Sequence, residues 1–221
     1  MFDLQAASIW HDMSAVLPGL QGTVADIACG AQPYRRLLTN AAAYVGVDRG
    51  DLRETFGYEA PDTLLFDGDR WPLDDAAVDA VLSTETLEHV PDPEVFLREA
   101  YRCLKPGGKM VLTVPFAARW HFVPHDYWRF TPSALELLLR RVGFDGIRVL
   151  GRGNALTVAA YKLMALPLAS LAHPDQAMGL RALKALTFAP AMGLLAAIGH
   201  WSLRHGAGHD CLGLTALATR P

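Results

Sequence analysis

Residues 23–34 read TVADIACGAQPY. An apolar run, Val24-Ala25-Asp26-Ile27-Ala28, reaches a sharp turn at Cys29-Gly30, and a helix-like pattern resumes from Tyr34 to Leu38. A strand that passes through a glycine turn into a helix leaves backbone N–H groups and a helix N-terminus facing a polar ligand. The dinucleotide fingerprint G-x-G-x-x-G is absent, because Gly30 stands alone in the turn, and nothing nearby resembles the phosphate loop G-x-x-x-x-G-K-[ST]. A strand that ends near an acid, Asp26, suits a zwitterionic or cationic ligand better than a pyrophosphate, since a carboxylate accepts from an amine or a hydroxyl.

Outward from this turn the chain alternates strands and helices. Upstream, Phe2, Ile9, Trp10, Met13, Val16 and Leu17 recur at helical spacing until Pro18-Gly19. Downstream, the Arg35-Arg36 pair reads as a solvated face, and Ala43–Asp48 reads as a buried strand ending in an acid. An acid about 20 residues past such a turn is where a ribose diol is held. The polar, unpatterned loop Arg49–Pro61 leads to a strand at Thr63–Phe66 ending at Asp67, and a turn over Asp69–Leu73 precedes a fourth strand, Ala77–Ser83. An amphipathic helix over Glu94–Leu104 is stopped by Lys105-Pro106-Gly107-Gly108, and Lys109–Val114 is a fifth strand. Thr131-Pro132 caps a helix running to Arg141, Gly143-Phe144 ends it, and Gly146–Leu150 is a sixth strand. This alternation predicts an α/β fold with a doubly wound, mainly parallel sheet.

Bulk properties narrow the function classes. A net charge of −3 gives no reason to expect nucleic acid as a partner. Cys29, Cys103 and Cys211 are too few and too scattered for a disulfide framework or a C-x-x-C metal site, so three reduced, buried thiols are expected. The N-terminal MFDLQAASIWHDM lacks the basic and apolar regions of a secretion signal, which points to the cytoplasm.

DIACGAQPY, YVGVD, FDGDRWPLDDAAVDAVLSTETLEHV and LREAYRCLKPGGKMVLTVP, in that order over about residues 20–150, resemble the class I S-adenosylmethionine-dependent methyltransferases. The resemblance implies a seven-stranded Rossmann-like sheet with an antiparallel last strand. It implies that Asp26, Ala28 and Gly30 line the methionine part of S-adenosyl-L-methionine, with Asp26 near its ammonium. Asp48 would hold the ribose, Asp67 would sit near the adenine amine, and Ser83 to Glu85 would close the pocket. A sulfonium cofactor carrying an ammonium favours carboxylates over a phosphate cradle. The family usually has glycine where Ala28 and Gln32 stand here. His89, in TLEHV, is family-typical at the pocket rim and reads as structural.

Pro115–Pro132, PFAARWHFVPHDYWRFTP, is where chemistry is expected, because a parallel sheet places ligands beyond the carboxyl ends of its strands. Methyl transfer is an in-line displacement that needs an aligned acceptor, exclusion of water and, for a hydroxyl acceptor, a base. His125 is the first candidate base, with Asp126 to orient it or bind acceptor hydroxyls, and His121 is the second. Tyr127 and Trp128 can stack on a sugar or another ring, and Arg129 holds either an acidic substrate or the loop. The competing reading is a self-packed lid held by an Asp126–Arg129 pair. A divalent cation on His121, His125 and Asp126 is conceivable but lacks tight ligand spacing, so no metal is assigned. HDYWRFTP followed by a leucine-rich helix and GF resembles the branch associated with sugar and cell-envelope glycan methylation.

Residues 154–208 differ from the rest, with Lys162, Asp175, Arg181, Lys184 and Arg204 their sole formal charges. Two apolar runs, Ala155–Ala172 and Ala182–Leu203, each contain a lysine and a helix-breaking proline, Pro167 or Pro190, which argues against a span. A packed helical hairpin, a homodimer interface and a patch seated in a membrane surface remain open. Asp210–Ala218 returns as the final strand, so residues 1–221 form one domain with this insertion between the last two strands. The expected activity is O-methylation of a sugar, oligosaccharide or related glycan precursor. An aromatic or lipid-quinone acceptor, or a non-catalytic interaction module, is the alternative.

Overall fold

The computed structural model describes residues 3–50, 62–171 and 178–221. Phe2, most of the Arg49–Pro61 loop and the link carrying Asp175 lie outside the described residues. Helix α1 (Leu4–Val16) starts where the Asp3 carboxylate accepts from Ala6 N at 3.1 Å, and it ends in a 3₁₀ turn over Leu17–Gly19. Strands β1 (Gly22–Ile27), β2 (Ala41–Arg49), β3 (Thr63–Phe66) and β4 (Val78–Thr84) follow. Then come α2 (Pro93–Cys103), β5 (Leu104–Pro115), α3 (Pro132–Val142), β6 (Asp145–Arg152), α4 (Ala155–Leu171), α5 (Met178–Leu203) and β7 (Gly213–Thr219).

The seven strands lie in the order β3-β2-β1-β4-β5-β7-β6. The first five are parallel, and β7 runs antiparallel between β5 and β6. Strand order reverses between β1 and β4, and the crevice outside their carboxyl ends is the ligand position of such sheets. Alternate residues of each strand feed opposite faces: Ala25, Val81 and Leu112 pack with Leu97 of α2 and Leu139 of α3, whereas Val24, Leu82 and Val111 pack with Met13 of α1. All three cysteines are free and buried.

Three expectations need correction. No α-helix follows Gly30; the segment makes a single 3₁₀ turn, Arg35–Leu37. Pro33 supplies no N–H, the Asn40 side chain donates to Pro18 O at 2.7 Å, and β2 begins at Ala41, so the segment has no length for a cooperative helix. Arg35 and Arg36, though exposed, stack over the Tyr44 and Trp10 rings at 4.8 and 4.5 Å.

The LKPGG turn is absorbed into β5 as an irregularity: Val78 pairs with Leu104, and the ladder resumes at Ala80 and Lys109. Gly107, at φ +79°, donates to Arg220 O at 2.7 Å, while a Cβ on Gly108 would lie 2.8 Å from Lys105 O.

Pro167 and Pro190 do not break the apolar runs; both sit inside assigned helices, and α4 and α5 form a hairpin. Ala160, Met164 and Ala196 of this hairpin bury themselves with Leu4 of α1 and Leu212. That tertiary packing offsets the cost of an interior proline. Gly199 is required at this seam, since a side chain there would collide with Leu4. The hairpin springs from the carboxyl end of β6 and returns into β7 beside the carboxyl end of β5, which roots it at the ligand-bearing edge of the sheet.

Candidate active site

The turn after β1 is built against β2. Ala28 N and Cys29 N donate to Val47 O at 2.8 and 3.2 Å, and Gly30 N donates to Asp48 Oδ2 at 3.0 Å. Ala28, Gly30 and Gln32 all adopt left-handed backbone, with φ of +58°, +52° and +55°. The loop therefore keeps a glycine-type path although two of these positions carry side chains, a strain of the kind found at ligand clamps. Asp26, 2% exposed, accepts from Tyr44 Oη at 2.9 Å. Burial pushes its carboxyl up to about 7; the Tyr44 hydrogen bond opposes this and the nearby Asp48 adds to it. Asp48 is 4% exposed and also accepts from Arg49 N at 2.8 Å.

Asp67 sits exposed just past β3, on the same edge of the sheet. Ser83 is buried inside β4, and its Oγ finds no hydrogen-bond partner among the described residues. Glu85 follows in left-handed backbone at φ +51°, and its carboxylate accepts from Arg152 Nη2 at 2.8 Å.

The 115–131 loop is tied down by backbone bonds. Tyr127 N and Trp128 N donate to Glu88 O at 2.9 and 3.2 Å, and Trp128 Nε1 donates to Val90 O at 2.9 Å. Arg129 grips Asp126 through two bonds, Nη1 to Oδ1 at 2.6 Å and Nη2 to Oδ2 at 2.8 Å, and also donates to Trp128 O and Arg119 O. This pair, chiefly the Arg129 side-chain bond, holds the Asp126 carboxyl down at about 2. Asp126 does not orient His125: it accepts from His121 N at 3.0 Å, with His121 Nδ1 at 3.5 Å. His125 Nδ1 instead meets Tyr127 Oη at 3.1 Å.

An acid-lined crevice at the β1/β4 reversal, free of a phosphate cradle, is the geometry that comparison with known proteins bears on. The family described as a methyltransferase domain matches residues 25–112. The ubiquinone biosynthesis O-methyltransferase of Cereibacter sphaeroides is 32% identical over 170 residues, which cover 64% of this chain and 68% of that protein. The chain belongs to the class I S-adenosylmethionine-dependent methyltransferases. The 2-methyl-6-phytyl-1,4-hydroquinone methyltransferase of Synechocystis sp. is 28% identical over 148 residues, covering 61% of this methyltransferase and 44% of its relative. In fold, an S-adenosylmethionine-dependent methyltransferase from Thermotoga maritima superposes with a TM-score of 0.60 at 17% identity, covering 99% and 92% of the two chains.

For a methyltransferase, the turn's residues fit the cofactor. A buried carboxyl that resists ionisation until a cation meets it is suited to receive an ammonium. The structure thus gathers Asp26, Ala28, Gly30 and Asp48 at one turn, places Asp67 on the same edge, and sets Ser83 one residue past Leu82, the β4 partner of Asp26. Sequence reasoning passed over three residues. Tyr44, within the strand read over Ala43–Asp48, holds Asp26. Arg152, at the end of an exposed-looking strand, is fully buried against Glu85. Glu88 carries no exposure at all, and the one trace of its role is the Glu85-x-x-Glu88-His89 spacing, which puts two acids and an imidazole into one short turn.

Proposed function

We propose that this methyltransferase moves the methyl group of S-adenosylmethionine to a phenolic hydroxyl of a hydroquinone-type ring that carries an apolar tail. The observation that carries this reading is the sequence match with the ubiquinone biosynthesis O-methyltransferase. The apolar α4–α5 hairpin supports it, because it rises from the acceptor edge of the sheet with Leu156, Leu163, Leu166, Leu186, Leu194 and Trp201 exposed. The Leu186–Leu203 segment is also long and apolar enough to cross a membrane. We read the hairpin as a surface that meets lipid, where a tailed quinol resides. The saccharide acceptor suggested by HDYWRFTP gains no support from these relatives.

In this scheme Asp26 takes the cofactor ammonium, the Ala28–Gly30 backbone follows the methionine chain, Asp48 accepts from the ribose, and Asp67 faces the adenine amine. Tyr127 and Trp128, both partly exposed, flank the acceptor ring, and Arg129 holds the loop through Asp126. His125 Nδ1 lies 3.1 Å from Tyr127 Oη, and in the tautomer in which Nδ1 donates, Nε2 takes the acceptor's proton as oxygen displaces the thioether from the methyl carbon. Turnover assays with alkylated catechols and hydroquinones, set against oligosaccharides, test the assignment. Transfer to saccharides with none to the phenols would sink it.

A further inference from the structure

Beside the cofactor crevice, where the 115–131 loop crosses the turn after β4, three side chains converge on one point. Glu88 is wholly buried, and neither carboxylate oxygen has a hydrogen bond among the described residues. Its nearest polar neighbours are His89 Nε2 at 3.5 Å and His121 Nε2 at 3.7 Å. A buried carboxylate left in this state is costly unless a cation meets it. Both imidazoles turn Nδ1 away from the acid and onto backbone carbonyls: His89 Nδ1 donates to His125 O at 2.7 Å, and His121 Nδ1 donates to Arg119 O at 3.0 Å. With Nδ1 donating, each ring in its neutral form presents a lone pair at Nε2. One carboxylate oxygen and two such nitrogens lie within 4.8 Å of one another.

We propose that Glu88, His89 and His121 form a binding site for a divalent transition-metal ion, with zinc as the best match. Two imidazoles and one carboxylate make a three-ligand zinc set that leaves a coordination position open, whereas magnesium and calcium prefer oxygen throughout. Zinc bonds of about 2.0–2.1 Å put tetrahedral ligands about 3.3–3.4 Å apart, so the two Glu88–histidine separations need to close by a few tenths of an ångström and the two histidine nitrogens, within 4.8 Å of each other, by up to about 1.4 Å. His121 lies on the loop and its side chain is 43% exposed, which leaves it room to move. Asp126, behind His121, is the outer carboxylate that metal-bound histidines commonly have. The cation set considered from the sequence, His121, His125 and Asp126, is thereby replaced: His121 remains a ligand, Asp126 stands behind it, and His125 contributes its backbone carbonyl to His89.

An ion here stands next to the acceptor loop, and its open position suits the acceptor oxygen, whose proton it would loosen for His125. That role rests on the phenolic acceptor reading; the site itself does not. The test uses the full chain, stripped with chelator and titrated with Zn²⁺ by calorimetry and with Co²⁺ by visible absorption. One equivalent should bind, cobalt should show the intense bands of a low-coordinate site, and His89→Ala and His121→Ala should each weaken binding by at least ~100-fold. Glu88→Gln should do the same if it folds, while His125→Ala should bind as the parent does. Absence of stoichiometric binding, or binding undiminished in both histidine variants, would overturn the proposal. Metal binding without methylation of any phenol would uphold the site and count against the acceptor assignment alone.

Discussion

Arg152 Nη2 donates to Glu85 Oε1 at 2.8 Å, from a side chain with no solvent exposure to one at the rim of the cofactor crevice. Nη2 also reaches Val114 O at 3.2 Å, and a side chain on Gly213 would collide with it. The pair ties the root of the α4–α5 hairpin to the turn that follows β4. Removing one partner of such a pair leaves a buried charge without compensation. Glu85→Gln should therefore lower stability by roughly 2–3 kcal/mol in a urea titration and speed hydrogen exchange at the start of α4. An unchanged midpoint would mean that the pair contributes nothing.

Asp26 gives a pH prediction with a definite sign. Its carboxyl is raised to about 7 in the folded, cofactor-free protein against 3.8 as a free side chain, so the folded state holds the extra proton between those values. The folded state then loses stability as pH rises through that window, and Asp26→Asn should flatten this dependence and melt higher at pH 8. Cofactor affinity should run the other way, weakening below pH 7 as Asp26 takes its proton instead of the ammonium. The Asn variant should lose on the order of 30–100-fold in affinity, read by calorimetry. Tight cofactor binding by Asp26→Asn would contradict the ammonium assignment.

Ala28 at φ +58° tests the turn. A left-handed alanine costs roughly 1–2 kcal/mol, part of which glycine returns as unfolded-state entropy. Ala28→Gly should raise the melting temperature slightly and leave cofactor binding intact, whereas Ala28→Val should destabilise the protein and weaken binding. A valine variant as stable as the parent would show that the turn is not held in this conformation.

His125 and Tyr127 should separate chemistry from binding. Loss of a general base costs about 10²–10⁴-fold in rate. His125→Ala should lose that much in kcat with cofactor affinity unchanged, and Tyr127→Phe should lose far less, because it keeps the ring and drops one hydrogen bond. Full turnover by His125→Ala would remove it as the base.

The hairpin predicts membrane contact. Leu166, Leu186 and Leu194 are 68%, 74% and 63% exposed, so replacing all three with glutamate should leave the fold intact while abolishing sedimentation with anionic liposomes. If the parent protein ignores liposomes and sediments as a dimer that the triple variant breaks, the face pairs with a second copy instead.

Much of the fold was legible because short apolar runs and the acids near their ends depend on local sequence. Val24–Ile27, Ala43–Asp48 and Val78–Ser83 all emerged as parallel strands. What failed depended on partners distant in the chain. The helix expected after Tyr34 lost to Asn40 reaching Pro18 and to the short run into β2. Pro167 and Pro190 read as breakers because the packing of Leu4 against Ala160 and Ala196 is invisible in a local window. In the site, Asp26, Gly30 and Asp48 were found as a group because a single turn places them. Glu88 was missed because its meaning depends on His121, which arrives from a loop more than thirty residues later. Asp126 was paired with its neighbour His125 in sequence, yet its side chain turns to His121 and Arg129.

The position of a labelled methyl group decides the central claim. The protein is given methyl-labelled S-adenosylmethionine and an alkylated catechol or hydroquinone, and the product is resolved by mass spectrometry and NMR. This account predicts a single aryl methyl ether, with S-adenosylhomocysteine formed in equal amount. A label found on a sugar hydroxyl, a nitrogen or a ring carbon would contradict it.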